Sequence, residues 1–450
     1  MSPLRLTVLV LLLVLLSSLL APSTAVRSST LLLARSPHSV PPTAGPGAPV
    51  TAWAATLAAQ SASDAARVAM LAAGPRPTLA TDAAKKGPHR SFVPIAPGRQ
   101  LLSIPSYVAR ARLGTPAQQL LVAIDPSNDA AWVPCTACAG CAPAPAPSFD
   151  PTRSSTYRPV RCGSPQCSQV PTPSCPGGAG ASCAFNLSYA ASTFQALLGQ
   201  DALALDDVVA AYTFGCLHVV TGNSVPPQGL VGFGRGPLSF LSQTKDVYGS
   251  VFSYCLPSYK SSNFSGTLRL GPAGQPKRIK TTPLLSNPRR PSLYYVNMVG
   301  IRVGGKPVPV PASALAFDPA SGHGTIVDAG TMFTRLSVPV YAAVRDAFRH
   351  RVRAPVASPL GGFDTCYNVT VSVPTITFVF DGQVSVTLPE ENVVIRSSSG
   401  GIACLAMAAG PADGVDAALN VLASMQQQNH RVLFDVANGR VGFSRELCTA

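Results

Sequence analysis

Two short turns that each carry one aspartate occur in separate halves of the 450-residue chain. The first reads Ile-Asp-Pro-Ser-Asn over residues 124–128, and the second reads Val-Asp-Ala-Gly-Thr over residues 327–331. Each turn follows a β-rich run, and an apolar or aromatic stretch follows each turn. One such turn would be an ordinary strand end, because Gly, Pro, Asn and Asp mark turns in general. Two of them indicate a duplicated unit that delivers one carboxylate from each half.

The chemistry open to such a pair follows from electrostatics. Two carboxylates held about 3 Å apart cannot both ionise, so Asp125 and Asp328 would share one proton. The ionised group can then act as a base on a trapped water while the protonated group acts as an acid on a substrate carbonyl. This arrangement cleaves amides without a protein nucleophile, so we expect no metal and no cofactor.

The elements that must position these aspartates are mostly strands. Beyond residue 100, short β-branched runs are punctuated by Gly and Pro, which is typical of strands and turns. Strands are predicted at 120–124, 267–270, 299–303, 375–380 and 432–434, with a hairpin turn at Gly304-Gly305. Helices are predicted at 51–73, 237–243, 338–352 and 390–392. Sparse helices among many strands predict an all-β fold with two lobes.

Several segments in order along the chain resemble the pepsin-type aspartic proteases, in particular the plant nepenthesin-like branch. These segments are 107–116, 232–239, 294–306, 420–422, 426–432 and 440–443, together with the two aspartate turns. The resemblance implies a bilobal pepsin-like acid protease fold, in which two β-rich lobes enclose an active-site cleft. It divides the chain into a signal peptide (1–25), a pro-segment and linker (26–95), an N-terminal lobe with a Cys-rich insertion (96–290) and a C-terminal lobe (291–450).

The same resemblance assigns roles to individual residues. Asp125 and Asp328 would be the catalytic pair, and Gly330 and Thr331 would contribute to substrate binding. Tyr189 would be the tyrosine of a flap hairpin that packs on the substrate and helps to exclude water. A buried core tyrosine is the alternative for Tyr189.

Both turns depart from the family pattern, Asp-Thr/Ser-Gly-Ser/Thr. Pro126 and Ala329 lack the hydroxyl that normally follows each aspartate and clasps the opposite loop. Ser127 replaces a glycine, so its N–H survives but its side chain needs room. We expect Asn128 to reach the Asp125 carboxylate as an N–H donor. We expect water or a shifted Asn128 amide to supply the partner of the Ala329 N–H.

Two functions fit these observations. The first is a secreted aspartic endopeptidase that hydrolyses polypeptides at acidic pH with water activated between two aspartates. The second is a catalytically weak or inactive homologue that binds other proteins or inhibits hydrolases. Retention of both aspartates favours the protease.

The N-terminal sequence predicts secretion. Arg5 precedes the apolar run 6–20, and Ser23-Thr24-Ala25 offers a small-residue cleavage site. We therefore expect a monomer without an integral membrane segment after signal removal, located outside the cell in the apoplast, with the vacuole as the alternative. Sequons at Asn186, Asn263 and Asn368 predict glycosylation.

Twelve cysteines in a chain with a signal predict disulfides formed in an oxidising compartment. Seven of them lie between residues 135 and 183. Cys135, Cys138 and Cys141 could instead be read as soft metal ligands, but secretion and the lack of nearby histidines favour disulfides. The resemblance implies one particular bridge, between Cys366 and Cys404 in the second lobe.

The formal net charge of +14 raises the question of a nucleic-acid partner. Charged residues make up only 12% of the chain, and the positive ones are scattered. The densest group, at 345–353, is better explained as the solvated face of a helix. We therefore expect a polypeptide partner and no nucleic acid.

The pro-segment raises the question of what covers the aspartates before activation. In related zymogens a basic pro-segment residue often caps the acidic pair. We favour solvated linker charges as the interpretation of Lys85 and Lys86, and a role of either as that capping residue is the alternative.

Overall fold

The computed structural model describes residues 50–72, 91–143, 148–178, 180–397, 400–412, 417 and 419–448. The strands up to residue 283 are β1 (Ser91–Pro97), β2 (Tyr107–Leu113), β3 (Gln118–Asp125), β4 (Trp132–Ala139), β5 (Arg158–Pro159), β6 (Pro173–Ser174), β7 (Ala184–Tyr189), β8 (Ser192–Ala204), β9 (Val208–Thr221), β10 (Leu230–Gly232), β11 (Val251–Cys255), β12 (Gly266–Leu270) and β13 (Lys280–Pro283).

The strands of the second half are β14 (Tyr295–Val296), β15 (Met298–Val303), β16 (Lys306–Pro307), β17 (Gly324–Val327), β18 (Thr334–Leu336), β19 (Cys366–Tyr367), β20 (Ile376–Phe380), β21 (Val384–Thr387), β22 (Val394–Arg396), β23 (Ala403–Leu405), β24 (Met407–Ala409), β25 (Leu419–Leu422), β26 (His430–Asp435) and β27 (Arg440–Arg445). The α-helices are α1 (Val50–Ala72), α2 (Gly98–Leu102), α3 (Pro165–Ser168), α4 (Phe240–Gln243), α5 (Lys245–Tyr248), α6 (Ala312–Leu315), α7 (Val338–Val352), α8 (Glu390–Val393) and α9 (Ser424–Gln427).

The architecture is the predicted all-β, bilobal one. Strands at the five predicted positions are confirmed, and Gly304-Gly305 joins β15 to the antiparallel β16. The helix predicted at 338–352 is α7, and the one predicted at 51–73 is α1. The helix predicted at 237–243 begins later, at Phe240, because Ser239 caps its first turn through the Ser242 N–H.

A duplicated three-strand unit holds the two aspartate turns. In the first half, β10 pairs in parallel with β3 and antiparallel with β4, so it lies between the strands that flank the first turn. In the second half, β25 lies in the same way between β17 and β18. Because each turn joins two strands held by a third, its aspartate is fixed by the sheet and not by a free loop.

The two halves share one extended sheet. Its strand order is β13-β27-β26-β11-β12-β1-β2-β3-β10-β4-β9-β8-β7-β6, with β5 paired to β8. The C-terminal strands β26 and β27 therefore pair beside β11, which belongs to the first half. The remaining strands form three smaller sheets of five, four and three strands. The boundary at 290/291 stays a prediction.

Six disulfides use all twelve cysteines. The pairs are Cys135–Cys216, Cys138–Cys141, Cys162–Cys175, Cys167–Cys183, Cys255–Cys448 and Cys366–Cys404. The last is the bridge that the resemblance implies. The sulfurs of Cys162, Cys167 and Cys175 lie close together, but each belongs to a disulfide and offers no thiolate to a metal.

Helix α1 packs against the body of the protein along one face. Trp53 and Leu57 join a cluster around Met332, and Val68 and Leu71 join a second cluster in the other direction along the helix. Apolar residues at these spacings form one stripe of a helix. In the part of the chain that the structure describes, no helix has both the length and the apolar character to cross a membrane.

Candidate active site

Asp125 is the last residue of β3, and its own turn provides its hydrogen-bond donors. The Ser127 N–H donates to Asp125 Oδ1 at 2.9 Å, and the Ser127 hydroxyl donates to the same oxygen at 2.8 Å. The Phe233 N–H donates to the Asp125 backbone carbonyl at 2.7 Å, which ties the turn to the chain after β10. The side chain at position 127 is therefore accommodated and adds a donor to the carboxylate.

Asp328 follows β17 and is held in the same manner. The Gly330 N–H donates to its Oδ1 at 3.1 Å, while the Thr331 N–H and hydroxyl donate to its Oδ2 at 2.9 and 2.6 Å. Each aspartate thus receives one hydroxyl and at least one backbone N–H from its own turn. The hydroxyl comes from the second residue after the aspartate in the first turn, and from the third in the second turn.

The prediction for Asn128 is wrong. Its Oδ1, the atom that could accept the Ala329 N–H, instead accepts the Ala130 N–H at 3.3 Å and closes a local turn. Its Nδ2, the atom that could donate to Asp125, is buried without a partner among the described residues. The donor that the sequence assigned to Asn128 is instead Ser127, whose shorter side chain places its hydroxyl against Asp125 Oδ1.

Arg67 of helix α1 joins the two aspartates. Its Nη2 lies 2.7 Å from Asp125 Oδ1 and 3.1 Å from Asp328 Oδ1, and its Nε lies 3.0 Å from Asp328 Oδ2. Nη2 also donates to the Ser127 hydroxyl at 2.5 Å. A single guanidinium nitrogen within hydrogen-bond distance of both carboxylates shows that the two side chains converge on one point.

Gly330 gives this guanidinium its room. A Cβ built at position 330 would lie 2.0 Å from Arg67 Nη2, so any side chain there would exclude the arginine from the pair. The glycine thus serves the Asp328 carboxylate through its N–H and the Arg67 guanidinium through its missing side chain.

Tyr189 lies at the tip of the hairpin formed by β7 and β8, above the aspartates. Its hydroxyl donates to Asp125 Oδ2 at 3.3 Å and accepts from Arg67 Nη1 at 3.1 Å. Its ring packs edge-on against Trp132, with centroids 5.3 Å apart. The tyrosine is buried and also reaches the aspartate pair, and its contact with substrate stays a prediction.

The electrostatics of the site are set by burial and by the arginine. Burial acts to raise the pKa of Asp328, but the Arg67 charge, its hydrogen bond and the Thr331 hydroxyl hold that pKa below its usual value. Burial acts to lower the pKa of Arg67, but the charges of Asp125 and Asp328 raise it well above its usual value. Burial raises the pKa of Tyr189, so its hydroxyl stays protonated.

A second polar contact fixes α1 three residues before the arginine. Asp64 accepts the backbone N–H groups of Met332 and Phe333 at 3.0 and 2.8 Å. These two residues directly follow the second aspartate turn. Burial raises the Asp64 pKa despite the lowering effects of Arg335 and of the two backbone donors. Helix α1 therefore contacts the second turn in two ways: Asp64 binds the backbone directly after the turn, and Arg67 binds the Asp328 side chain.

The linker lysines considered as capping residues lie outside the described residues, because the structure does not describe 73–90. The contact with both aspartates comes from Arg67, which sequence reasoning missed. A signal was present. Asp64 and Arg67 are the charged residues of α1, and they fall three positions apart on the face that carries Leu57 and Val68. Charges on the apolar face of a helix need buried partners.

The three sequon asparagines, Asn186, Asn263 and Asn368, are exposed. Their positions are compatible with glycosylation, which itself stays a prediction. None of them lies at the aspartate pair.

The matching turns, the converging carboxylates and the hairpin tyrosine define the class of two-lobed aspartic proteases. Comparisons with known proteins place the chain within that class. Residues 107–272 match the family model described as "Xylanase inhibitor N-terminal", and residues 293–445 match the one described as "Xylanase inhibitor C-terminal". The chain belongs to the plant nepenthesin-like family of pepsin-type aspartic proteases.

The curated relatives cover most of the chain. "Aspartyl protease 25" of Oryza sativa subsp. japonica is 48% identical over 80% of this chain and 85% of its own length. "Aspartyl protease AED3" of Arabidopsis thaliana is 48% identical over 80% of this chain and 81% of its own. "Aspartic proteinase nepenthesin-2" of Nepenthes gracilis is 33% identical over 76% of this chain and 78% of its own.

Solved structures agree at the level of the fold. The crystal structure titled "edgp" has a TM-score of 0.65 and 22% identity, and covers 80% of this chain and 95% of its own. "Basic 7S globulin from soybean" has a TM-score of 0.61 and 24% identity, and covers 79% of this chain and 96% of its own. At these identities the likeness supports the architecture alone.

Replacing Asp64 with Ala is expected to loosen α1 without touching the catalytic pair. In the docked state the Met332 and Phe333 N–H groups would lose their acceptor, which costs about 1–3 kcal/mol for each buried unsatisfied group. Limited proteolysis should therefore cut within residues 50–72 faster than in the wild type. Ala65→Gln, on the exposed side of the same helix, is the matched control. Equal cutting rates for both variants would show that the clamp does not hold the helix.

Proposed function

We propose that the processed protein is an aspartic endopeptidase that hydrolyses polypeptides with a water activated between Asp125 and Asp328 at acidic pH. The observation that supports this most is the convergence of both carboxylates on one nitrogen of Arg67. The Arg67 guanidinium occupies the point between the two carboxylates. Once α1 is removed, a water and a substrate carbonyl could meet at that point.

The expected reaction needs only the aspartates and water. The ionised carboxylate takes a proton from water, and the resulting hydroxide attacks the carbonyl carbon of the peptide bond. The protonated carboxyl gives its proton to the carbonyl oxygen, which yields a neutral tetrahedral diol. Collapse of the diol with proton transfer to the nitrogen breaks the C–N bond and releases an amine and a carboxylic acid. Tyr189 would close over the substrate and reduce its contact with water.

The proposal includes a latent precursor, by which we mean the chain that retains α1. Arg67 lies between the carboxylates of Asp125 and Asp328. The two carboxylates therefore cannot hold a water against a substrate carbonyl. Asp64 and the apolar face of α1 add contacts along the same groove. Removal of the segment that carries α1 would be the activating step.

The six disulfides support an extracellular location, because such bonds persist in oxidising compartments. We therefore extend the proposal to a secreted protein of the apoplast, with the vacuole as the alternative, acting as a monomer on polypeptides.

The test is hydrolysis of denatured globin by the chain after confirmed removal of residues 26–90, which takes away α1 and keeps β1 intact. Cleavage is expected at about pH 3–5, where one of two facing carboxylates is ionised. A statine-type inhibitor, which places a hydroxyl between the carboxylates, should block it. No cleavage by the processed chain would overturn the proposal.

The alternative is a protein-binding or hydrolase-inhibitor module. The observation that favours it is the description of the matched family models, which names xylanase inhibitors. The loss of hydroxyls at Pro126 and Ala329 also fits a weakened catalytic pair. A processed chain that cleaves no globin but lowers the activity of a plant-cell-wall xylanase would establish this second function.

A further inference from the structure

A buried arginine without an acidic partner faces the groove that α1 fills. Arg99 belongs to the short helix α2, and the residue is 8% exposed. Its Nε has no hydrogen-bond partner, and Arg99 enters no ion pair within the part of the chain that the structure describes. A buried charge without a partner is costly, so its presence calls for an explanation other than stability.

The surroundings of Arg99 are positive. Its guanidinium carbon lies 5.5 Å from the centroid of the Tyr259 ring, and the Lys260 ammonium lies 5.8 Å from the same centroid. Two cations therefore flank one aromatic ring. Burial lowers the pKa of Arg99, with Tyr259 opposing the effect.

The nearest acidic side chains on this surface are already engaged. Glu390 forms an ion pair with Arg396 at 2.5 Å, and Glu391 accepts from Asn429 at 3.3 Å. Both glutamates line one pocket with Tyr259 and Lys260, whereas Arg99 and Tyr259 line another pocket that has no carboxylate in its lining. Arg99 is therefore left without a carboxylate partner among the described residues.

The groove next to Arg99 is covered by the precursor helix. The pocket that Arg99 lines is also lined by Gln60 and Trp53 of α1. Its other lining residues include Met332 and Phe333, which follow the second aspartate turn. At 1.5 Å per helical residue, Gln60 and Trp53 lie about 10 and 21 Å from Arg67 along α1. An extended substrate spans these distances with about three to six residues at 3.3 Å each.

We propose that Arg99 is the specificity-determining residue of a subsite that takes an acidic side chain of the substrate, about three to six residues from the scissile bond. The subsite opens when α1 leaves, and the guanidinium then finds the carboxylate partner that it lacks in the precursor. Tyr259 forms one wall, and Lys260 adds positive charge near the same ring. The inference rests on the proposed protease function.

The test compares peptides that differ only by Glu or Gln, scanned through the third to sixth positions on each side of one scissile bond. All peptides are acetylated and amidated, so that only the side-chain carboxylate changes. At about pH 5, where Glu is ionised, the processed enzyme should prefer Glu over Gln by about tenfold in kcat/KM at one or more of these positions. Below about pH 4 the preference should fade, because Glu becomes neutral.

Variants separate the charge from the packing. Arg99→Gln should reduce the Glu-to-Gln ratio to about one, Arg99→Lys should retain a preference of several fold, and Arg110→Gln is the control for loss of a positive charge on an exposed strand position. The ratio is internal to each enzyme preparation, so partial misfolding of a variant does not affect it. A wild-type ratio near one at every position would overturn the inference.

A failure of the protease proposal gives a different result. If no peptide is cleaved, the same Glu and Gln peptides can be titrated onto the processed Asp125→Asn protein by fluorescence anisotropy. Tighter binding of the Glu peptide that is lost in an Arg99→Gln background would support the subsite alone. Equal binding of the two peptides would reject the subsite.

Discussion

Replacing Asp125 with Asn is expected to lower kcat/KM of the processed protein by about a thousandfold or more, because proton transfer by positioned groups contributes about 10²–10⁴. An amide cannot take the proton from water or share one with Asp328. Its size matches the carboxyl, and the donors from Ser127 can still reach its oxygen. The measurement is peptide hydrolysis at about pH 3–5, the range proposed for the pair.

The same hydrolysis measurement should be made on Asp328→Asn and on the double variant. Groups that act as one unit are not additive, so the double variant should lose about as much as either single variant. Asp346→Asn, which disrupts an exposed ion pair with Arg345, is the control and should keep full activity. Thermal unfolding should show that each variant is folded. A residual activity within tenfold of the wild type in either single variant would contradict the shared-proton mechanism.

The local features of the site could be predicted from sequence because they depend on short stretches. A strand, an aspartate and a turn predict where each carboxylate lies along its chain, and the repeat predicts that the two meet. The helix predicted at 338–352 is also local, and its bounds are confirmed. The donors at Asp125 were predicted only in part, since both Ser127 and Asn128 have side chains of suitable chemistry. Their geometry, which decides between them, depends on the backbone of the turn.

The arginine between the aspartates could not be located by the same reasoning. Arg67 lies 58 residues from Asp125 and 261 from Asp328 in the chain. Such a contact is fixed by how α1 packs across the groove, which depends on Trp53 and Leu71 at opposite ends of the helix. Proximity in sequence to the first aspartate favours the linker lysines as the residues that cap the pair, whereas the stripe of buried residues favours a charged residue within the helix. The burial of Arg99 could not be predicted from sequence for the same reason, since it depends on packing between distant segments.

Replacing Arg67 with Gln is expected to open the precursor. Removal of one member of a buried ion network costs about 3–5 kcal/mol, because the remaining charges keep their desolvation penalty. Undocking of α1 relieves that penalty, because it returns the carboxylates to water. The ratio of undocked to docked precursor should therefore rise by about a hundredfold or more. The readout is the affinity of the intact chain for a fluorescent statine-type inhibitor, which needs the space that Arg67 fills.

The pH dependence of this opening follows from the two shifted carboxyls. The pKa of Asp328 is lowered from its usual value near 3.8 by Arg67, so this contact stabilises docking fully above that value and is lost as the pH falls through the lowered pKa. The pKa of Asp64 is raised in the docked state, so Asp64 favours docking as the pH falls towards 3.8. Release of the wild-type helix should therefore begin only below about pH 3.8, where protonation of Asp328 outweighs Asp64.

The Arg67→Gln precursor should lack this acid-driven step, because it has no Arg67–Asp328 ion pair for protonation of Asp328 to break. Its inhibitor affinity, divided by that of processed protein at the same pH, should exceed the wild-type ratio at about pH 6 and should show no rise below about pH 3.8, whereas the wild-type ratio should be small at about pH 6 and rise below about pH 3.8. Arg67→Lys keeps a point charge but only part of the fork of donors, so its ratio should lie between the two. Ala69→Gln, on the exposed side of α1, should behave like the wild type. If the Gln precursor stayed as closed as this control at about pH 6, the arginine would not be what keeps the catalytic pair covered.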